Sequence, residues 1–212
     1  MNHPLGGLQD LHLARVVDNQ DPDGRGRIRV EIQSLEMELW AACVTNSAGE
    51  GYGMSCLPKR DEMVVLAFIS PEFAVILGAI WSGSSSHPTE AQEVEDNYSL
   101  VSPEGTKVTL NDSEGPMFTV ETRSGHHLTI TEEGDGEIKI EKGGESVTLS
   151  SSGVSIVSSA VVEVQASQVN VSASMVQVDA GMSQFSGVVK CDTLIATSVV
   201  SSSYTPGAGN VW

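Results

Sequence analysis

A short repeat in the second half of the chain constrains the fold more than any other feature of the sequence. Triplets with apolar residues at both ends and a polar residue between them recur at spacings of ten, ten, ten, nine and seven residues. They begin at residues 108, 118, 128, 138, 147 and 154, with glycines in between. From residue 162 the period becomes a strict seven, with further copies at 169 and 176 and a looser one at 183. A fixed period of this kind predicts a repeat architecture.

A seven-residue period is also typical of coiled coils, where apolar residues lie three and four positions apart. Here they lie two apart, as Val162 and Val164 do, with an alanine at the fifth position. This is the alternation of a β-strand. The remaining positions are mostly Ser, Val and Thr, which are poor helix formers. The repeat therefore predicts short strands joined by tight turns.

One such strand buries too little to be stable alone. Its apolar face recovers roughly 4 kcal/mol, whereas ordering seven residues costs on the order of 10 kcal/mol. A single-chain solenoid or three chains around one axis could supply the missing partners, and a solenoid coil usually needs about 20 residues. The short units favour an intertwined homotrimeric β-helix, or β-prism, over residues 98–202. Its axis is predicted to be packed by Val108, Leu110, Phe118, Val120, Leu128, Ile130, Ile138, Ile140, Val147, Leu149, Val154, Ile156, Val162, Val164, Val169, Val171, Val176 and Val178.

The first 81 residues predict a different all-β unit. Apolar runs interrupted by Gly, Pro and Asp lie at residues 13–17, 28–32, 40–45, 63–69 and 73–80. Runs of this type, separated by turn formers, are typical of strands. Five strands in so short a length predict a small barrel of the OB type. The polar stretch 82–97 is interpreted as a linker, and residues 203–212 as the tip of the needle.

Composition excludes several classes of protein. With 28 acidic and 11 basic side chains the formal charge is −17, which argues against nucleic-acid binding, because that needs clustered Lys and Arg. No apolar run approaches the length of a membrane-spanning helix. The start of the sequence lacks the layout of a secretion signal, and the three cysteines show no disulfide pattern. We therefore expect synthesis in the bacterial cytoplasm without a signal peptide.

A run of motifs in the first half resembles a known family. The sequence VDNQDPDGRGRIRV at residues 17–30 is followed, in order, by a tryptophan, a Gly-rich stretch, a proline and LGAIWSG at 77–83. These are similar to the OB domain of contractile-tail spikes, namely the phage baseplate assembly protein V family and its secretion-system relative VgrG. The resemblance covers about residues 11–83. Its signature residues here are Asp18, Asn19, Asp21, Pro22, Gly24, Gly26, Arg27, Trp40, Pro58 and Gly78.

The resemblance implies a membrane-puncturing spike of a phage tail or injection machine. In that family the OB domain contacts a baseplate hub protein under the tail tube, and the trimeric needle transiently meets the outer membrane of the target cell. A PAAR-type protein caps the needle in some relatives, and the residues expected to contact a cap here are Tyr204, Pro206, Val211 and Trp212. The alternative is a trimeric fibre or adhesin that recognises a cell-surface receptor.

Neither catalysis nor a cofactor is predicted. The lysozyme domain that some phage spikes carry is absent at its position, where only residues 82–97 stand. The His-x-His metal motif of other relatives is also missing, because the last histidine is His127. We interpret the remaining candidate residues as turn, core or solvated positions: His126, His127, Asp21, Asp23, Asp61, Glu62, Cys43 and Cys56.

Overall fold

The computed structural model of the chain describes residues 11–83, 86–91 and 95–203. The regular structure in them is all β, apart from two single 3₁₀ turns at Gln33–Leu35 and Thr89–Ala91. No helix in these residues has the length and apolar character needed to cross a membrane. The strands, numbered in chain order, are β1 His12–Asp18, β2 Arg27–Ile32, β3 Met37–Cys43, β4 Ala48–Gly49, β5 Tyr52–Gly53, β6 Met63–Ser70, β7 Phe73–Ile80, β8 Asn97–Val101, β9 Lys107–Asn111, β10 Met117–Glu121, β11 His126–Thr131, β12 Glu137–Lys142, β13 Glu145–Ser150 and β14 Gly153–Val157.

Five strands of the first half close into a barrel in the order β1-β2-β3-β7-β6, with β6 pairing back to β1. Neighbouring strands are antiparallel except for β3 and β7, which run parallel. The short strands β4 and β5 form a separate hairpin between β3 and β6. The predictions of an all-β fold and of an N-terminal five-stranded barrel are confirmed, and the barrel is consistent with an OB domain.

Alternation along the barrel strands separates a dry interior from a charged exterior. In β2, for example, Ile28, Val30 and Ile32 are fully buried while the residues between them are half-buried. All the buried hydrophobic residues of the described chain lie in the barrel strands: Ala14, Val16, Ile28, Val30, Ile32, Ala41, Val64, Leu66, Ala74, Val75 and Ile76. The barrel is therefore a self-sufficient core.

The repeats form a second sheet of seven strands in the order β8 to β14. Each strand is antiparallel to the one that precedes it in the chain, so the sheet is a simple meander. None of the residues 95–203 is buried in the single chain. The sequence predicts strands intertwined between chains, whereas here the ladders of β8–β14 are completed within one chain. A trimer of this segment would therefore join whole sheets.

The seven-residue repeats have no such ladder. Residues 158–203 contain no strand, and every one of them except Ser158 is exposed. The chain divides into two compact units at Val162 and Glu163, and the second unit includes these repeats. The strands that the period predicts are not formed by one chain, and their pairing stays a prediction. The expected cap contacts at Tyr204, Pro206, Val211 and Trp212 lie outside the described residues.

The first testable prediction concerns the stability of the barrel core. The substitution Leu66→Ala removes a side chain that is fully buried, and we expect it to lower the free energy of unfolding of the barrel by about 2–5 kcal/mol. The control Leu13→Ala changes a residue on the paired strand β1 that is 58% exposed, and it should change that free energy by less than about 0.5 kcal/mol. Urea unfolding followed by tryptophan fluorescence measures both. Equal losses for the two variants would contradict this assignment of the core.

Candidate functional site: the signature loop and an exposed apolar sheet face

The loop between β1 and β2 is organised by one carboxylate. Asp21 accepts hydrogen bonds from the backbone amides of Asp23, Arg25 and Arg27, each at 3.1 Å. It also accepts two bonds from the Arg27 guanidinium, at 3.0 and 2.8 Å. Its side chain is only 3% exposed. These bonds, those from Arg27 above all, hold the pKa of the Asp21 carboxyl well below its usual range.

The glycines of the signature serve the same loop. Gly24 and Gly26 have φ angles of +65° and +69°, a left-handed conformation that residues with a Cβ rarely adopt. Two such residues let the chain curl around the Asp21 carboxylate. The DPDGRGR sequence thus forms a tight, internally hydrogen-bonded turn, as the sequence predicts.

The other signature residues attach this loop to the barrel. The Asn19 side chain donates to the carbonyl of Pro58 at 3.4 Å, and Arg60 donates to Asp18 at 2.9 Å. The Arg27 guanidinium lies 5.7 Å from the centre of the Trp40 ring, within cation–π range. Gly78 lies on β7 opposite Val65, beside an irregularity in the β6–β7 register. Asp18, Asn19 and Arg27 therefore take part in contacts that hold this loop on the barrel.

Ion pairs on the outer face of the barrel were not foreseen from the sequence. Arg15 on β1 lies 2.8 Å from Glu31 on β2 and 3.1 Å from Asp61. Hydrogen bonding to Glu31 raises the pKa of Arg15. Strand pairing places Arg15 directly opposite Glu31, so only the register, which the sequence does not give, could have identified the pair.

These pairs bear on nucleic-acid binding, which OB folds perform with the face of their second and third strands. Arg29 on β2 lies 3.7 Å from Glu38 on β3, and Arg27 is paired with Asp21 and Asp23. Four of the six described basic residues of the barrel region thus have a carboxylate partner within the chain. Cations that are already neutralised release few counterions from phosphates. The absence of a nucleic-acid partner stays a prediction.

A second surface lies on the β8–β14 sheet. The twelve predicted axis residues from Val108 to Ile156 all lie on the same face of this sheet, which we call the apolar face. Cross-strand pairing puts them in two continuous rows. Tyr98 and Leu100 of β8, which were not among the predicted axis residues, extend the two rows by one residue each. The first row is Tyr98, Leu110, Phe118, Ile130, Ile138, Leu149 and Val154, and the second is Leu100, Val108, Val120, Leu128, Ile140, Val147 and Ile156.

The apolar face is open to solvent in the single chain. Tyr98 is 72% exposed, Ile140 55% and Ile156 60%. Monomeric soluble proteins rarely expose a contiguous apolar patch of this extent, and such patches mark interaction sites. The six predicted axis residues beyond β14 (Val162, Val164, Val169, Val171, Val176 and Val178) are 58–71% exposed, and no described strand contains them.

The opposite surface of the sheet, the polar face, is built of small hydroxyl side chains. Its central row is Ser99, Thr109, Thr119, Thr129, Lys139, Thr148 and Ser155. Beside this row, His127 on β11 is opposite Glu121 and Glu141. Lys139, with a smaller contribution from His127, lowers the pKa of Glu141. Since one face is apolar and the other hydrophilic, only the apolar face calls for a partner.

The chain turns sharply where the meander ends. Glu145 at the start of β13 accepts hydrogen bonds from the backbone amide and the hydroxyl of Ser159. Bonds from Ser158 and Ser159 lower the pKa of the Glu145 carboxyl. An open groove beside this turn is lined by Ile140, Val147 and Ile156 of the apolar face together with residues 160–162. The turn therefore extends the apolar surface.

The remaining candidates for chemistry are separated from one another. His126 and His127 lie on opposite faces, as the strand alternation predicts, and the ring of His126 is bonded to the hydroxyls of Thr122 and Ser124. Within residues 11–83, 86–91 and 95–203, no three His, Cys, Asp or Glu side chains lie close enough together to hold a metal ion. Cys43 is half-buried, and Cys56 and Cys191 are exposed and unbonded to sulfur.

The second prediction concerns the contribution of the Asp21 carboxylate to stability and its dependence on pH. Because its pKa is lower in the folded protein than its ordinary value near 3.8, its contribution is complete above about pH 4 and is lost as the pH falls from there towards the lowered pKa. Asp21→Asn should lower the thermal midpoint at pH 7 and weaken the loss of stability between about pH 4 and pH 2. The Asp23 side chain is 63% exposed, so Asp23→Asn should have a smaller effect on both the thermal midpoint and the acid-induced loss of stability. Thermal unfolding at a series of pH values compares them, and identical pH profiles for Asp21→Asn and the unmodified protein would contradict the assignment.

Two comparisons with known proteins complete the description. A search of curated protein sequences gives no significant match. Residues 12–81 match the model of a protein family described as the type VI secretion system/phage-baseplate injector OB domain. The matched range begins with β1 and ends just after β7, so it coincides with the strands of the closed barrel. Residues 12–81 are thus similar, in sequence and in the extent of their barrel, to the injector OB domain of type VI secretion systems and phage baseplates.

Proposed function

We propose that this chain is the central spike of a contractile phage tail or related injection machine. The match of its barrel to an injector OB domain supports a role in a baseplate-type assembly. In this proposal residues 1–81 attach the spike to the hub under the tail tube and 82–97 are a linker. Three copies of residues 98–202 form the needle, and residues 203–212 form its tip.

The observation that carries the proposal is the uncovered apolar face. In this proposal an injector OB domain is followed by a sheet with two rows of seven apolar side chains, none of which is buried by its own chain: nine are exposed and five are half-buried. At about 25 cal/mol per Å² of apolar area, covering such rows supplies a strong driving force for association. Two further copies of the same sheet are the partner proposed here.

The width of the sheet favours three copies. Strands of five or six residues span about 17–20 Å. Three sheets of that width, arranged as a triangle, stand about 5–6 Å from the common axis, close to half of the ~10 Å that separates packed sheets. One layer of inward side chains from each sheet then fills the prism.

The repeats of residues 158–203 support the same assembly for a second reason. Their backbone amides and carbonyls have no ladder in the single chain, and buried backbone groups need hydrogen-bond partners. Exchange of strands among three chains would supply these partners along the narrower lower part of the needle. In this part the proposed trimer is intertwined.

The mechanism that follows is mechanical. A closed trimeric shaft has no free sheet edge along its length, and it can transmit thrust because its chains separate only when many ladders break together. Residues 158–203 carry only four charged side chains, Glu163, Asp179, Lys190 and Asp192. An uncharged shaft meets a smaller desolvation penalty on entering an outer membrane. The proposal includes no catalytic step and no cofactor, and it leaves the apex available to a PAAR-type cap.

The third prediction concerns assembly. The purified full chain should have three times the mass of one 22.4 kDa chain, about 67 kDa, by light scattering or native mass spectrometry. The change Leu128→Glu places three carboxylates at the proposed axis, where burial of an unpaired charge is strongly unfavourable, and should abolish the trimer. The neighbouring change Thr129→Glu lies on the polar face and should leave it intact. A folded, monodisperse monomer of the unmodified protein would contradict the proposal.

The fourth prediction concerns entry into the membrane. A lysine introduced at Gln165 and a glutamate introduced at Asn170, which alternate with the predicted axis residues and so face outward, add charge to the surface of the lower shaft. They should reduce insertion of the protein into a lipid monolayer by roughly half or more, because charged groups resist transfer into hydrocarbon. The same pair introduced at Thr109 and Thr119 on the polar face serves as the control. Surface pressure measures insertion, and solution mass checks that both variants remain trimeric. Unchanged insertion of the Gln165 and Asn170 variant would count against the puncturing role of this segment.

A further inference from the structure

The charges of the β8–β14 sheet are divided between its two turn-bearing edges. One edge carries the β9–β10, β11–β12 and β13–β14 turns and the start of β8. Its charged residues are all acidic, and we call it the acidic rim: Asp96, Asp112, Glu114, Glu132, Glu133, Asp135 and Glu137. Within the described residues, Asp135 is the one rim carboxylate that accepts a hydrogen bond from a side chain, the Ser151 hydroxyl at 3.2 Å. Seven carboxylates on one edge repel one another unless cations approach them from outside the sheet.

The opposite edge carries the β8–β9, β10–β11 and β12–β13 turns, and we call it the mixed rim. It holds three of the five bases of residues 82–212, namely Lys107, Arg123 and Lys142, together with both histidines of β11. Its four glutamates already have partners within the chain. Glu104 pairs with Arg123, Glu121 with Lys107, Glu141 with Lys139, and Glu145 with Ser159.

Lys142 is the base of the mixed rim best placed to act outside its own chain. It is exposed at the end of β12, and no carboxylate of the described residues lies within ion-pair distance of it. Arg123 is 79% exposed and reaches Glu104 at 3.3 Å, an exposed pair of the kind that contributes little to stability. Both cations can therefore interact with a carboxylate of another chain without leaving a buried group unpaired.

Strand order sets the heights of these groups along the stack. The β11–β12 turn, which bears Glu132 and Glu133, lies between the levels of the β10–β11 turn with Arg123 and the β12–β13 turn with Lys142. A threefold rotation moves each sheet around the axis without changing its height. If the strands are perpendicular to that axis, the two glutamates of one copy face the mixed rim of the next copy. Their height along the axis then differs from that of each cation by about one strand spacing, ~4.8 Å.

We propose that the acidic rim of each copy lies against the mixed rim of the next, so that the three sheets join in head-to-tail order around the needle axis. This inference rests on the proposed trimeric spike and adds the contact that orients its chains. Head-to-tail contacts close into a ring when the rotation allows it. Covering of the apolar faces supplies the association, while the rims select the direction and register of the neighbours.

The test reverses charge at each rim of the full-length chain. The acidic-rim variant is Glu132→Lys with Glu133→Lys, and the mixed-rim variant is Arg123→Glu with Lys142→Glu. At low salt each should increase the rate of trimer dissociation at least tenfold, because like charges then face each other at all three junctions. The combination of all four changes should return the rate to within about threefold of the unmodified protein, because opposite charges face each other again. High salt should reduce these differences.

The control adds the same positive charge elsewhere. Glu36→Lys with Glu72→Lys changes two exposed barrel residues outside both rims and should leave the dissociation rate unchanged. Circular dichroism checks that each variant keeps its β-sheet content. Failure of the fourfold variant to recover, or single-rim variants that dissociate at the unmodified rate, would overturn the inference while the trimer itself stands. An unmodified protein that is not a trimer would instead overturn the proposed function.

Discussion

The uncovered apolar face of the β8–β14 sheet is the constraint on which the rest of this molecule depends. The barrel has a closed core of its own, built from inward residues such as Ile28 and Leu66. The sheet has only half of a core, since no residue of its two apolar rows is buried by the described chain. One chain therefore contains a finished domain and a sheet with an uncovered apolar face, which further copies cover in the proposed spike.

In the proposed needle the two kinds of repeat make different demands on neighbouring chains. The ten-residue units satisfy their backbone hydrogen bonds within the chain and leave only side chains to be covered. The seven-residue units from Val162 onwards leave the backbone unsatisfied as well. In the proposed spike, sheets that pack as whole sides therefore lead into strands that depend on three chains at once.

Much of the fold follows from local patterns, and the remainder depends on register. Alternation and turn residues predicted all five barrel strands, and the triplets predicted six of the seven strands of the meander. They missed β8, although Tyr98 and Leu100 stand ten residues before Val108 and Leu110 and so fit the same spacing. The ion pair of Arg15 with Glu31 and the separation of charge between the two rims could not be predicted, because they depend on the register of the paired strands and on the order of the strands in the sheet. The signature loop was predicted as a turn. The role of Asp21 as acceptor for three backbone amides could not be predicted, because it depends on how the loop folds around the carboxylate.

The meander pairing has a consequence for biogenesis. Each strand from β8 to β14 bonds to its immediate predecessor in the chain, so forming the sheet closes only short loops, and structures dominated by such local contacts form quickly. A nascent chain can thus shape this segment before it encounters a sister chain. In the proposed spike the later repeats acquire neighbours only when chains collide, so their pairing depends on concentration and is the last event in maturation.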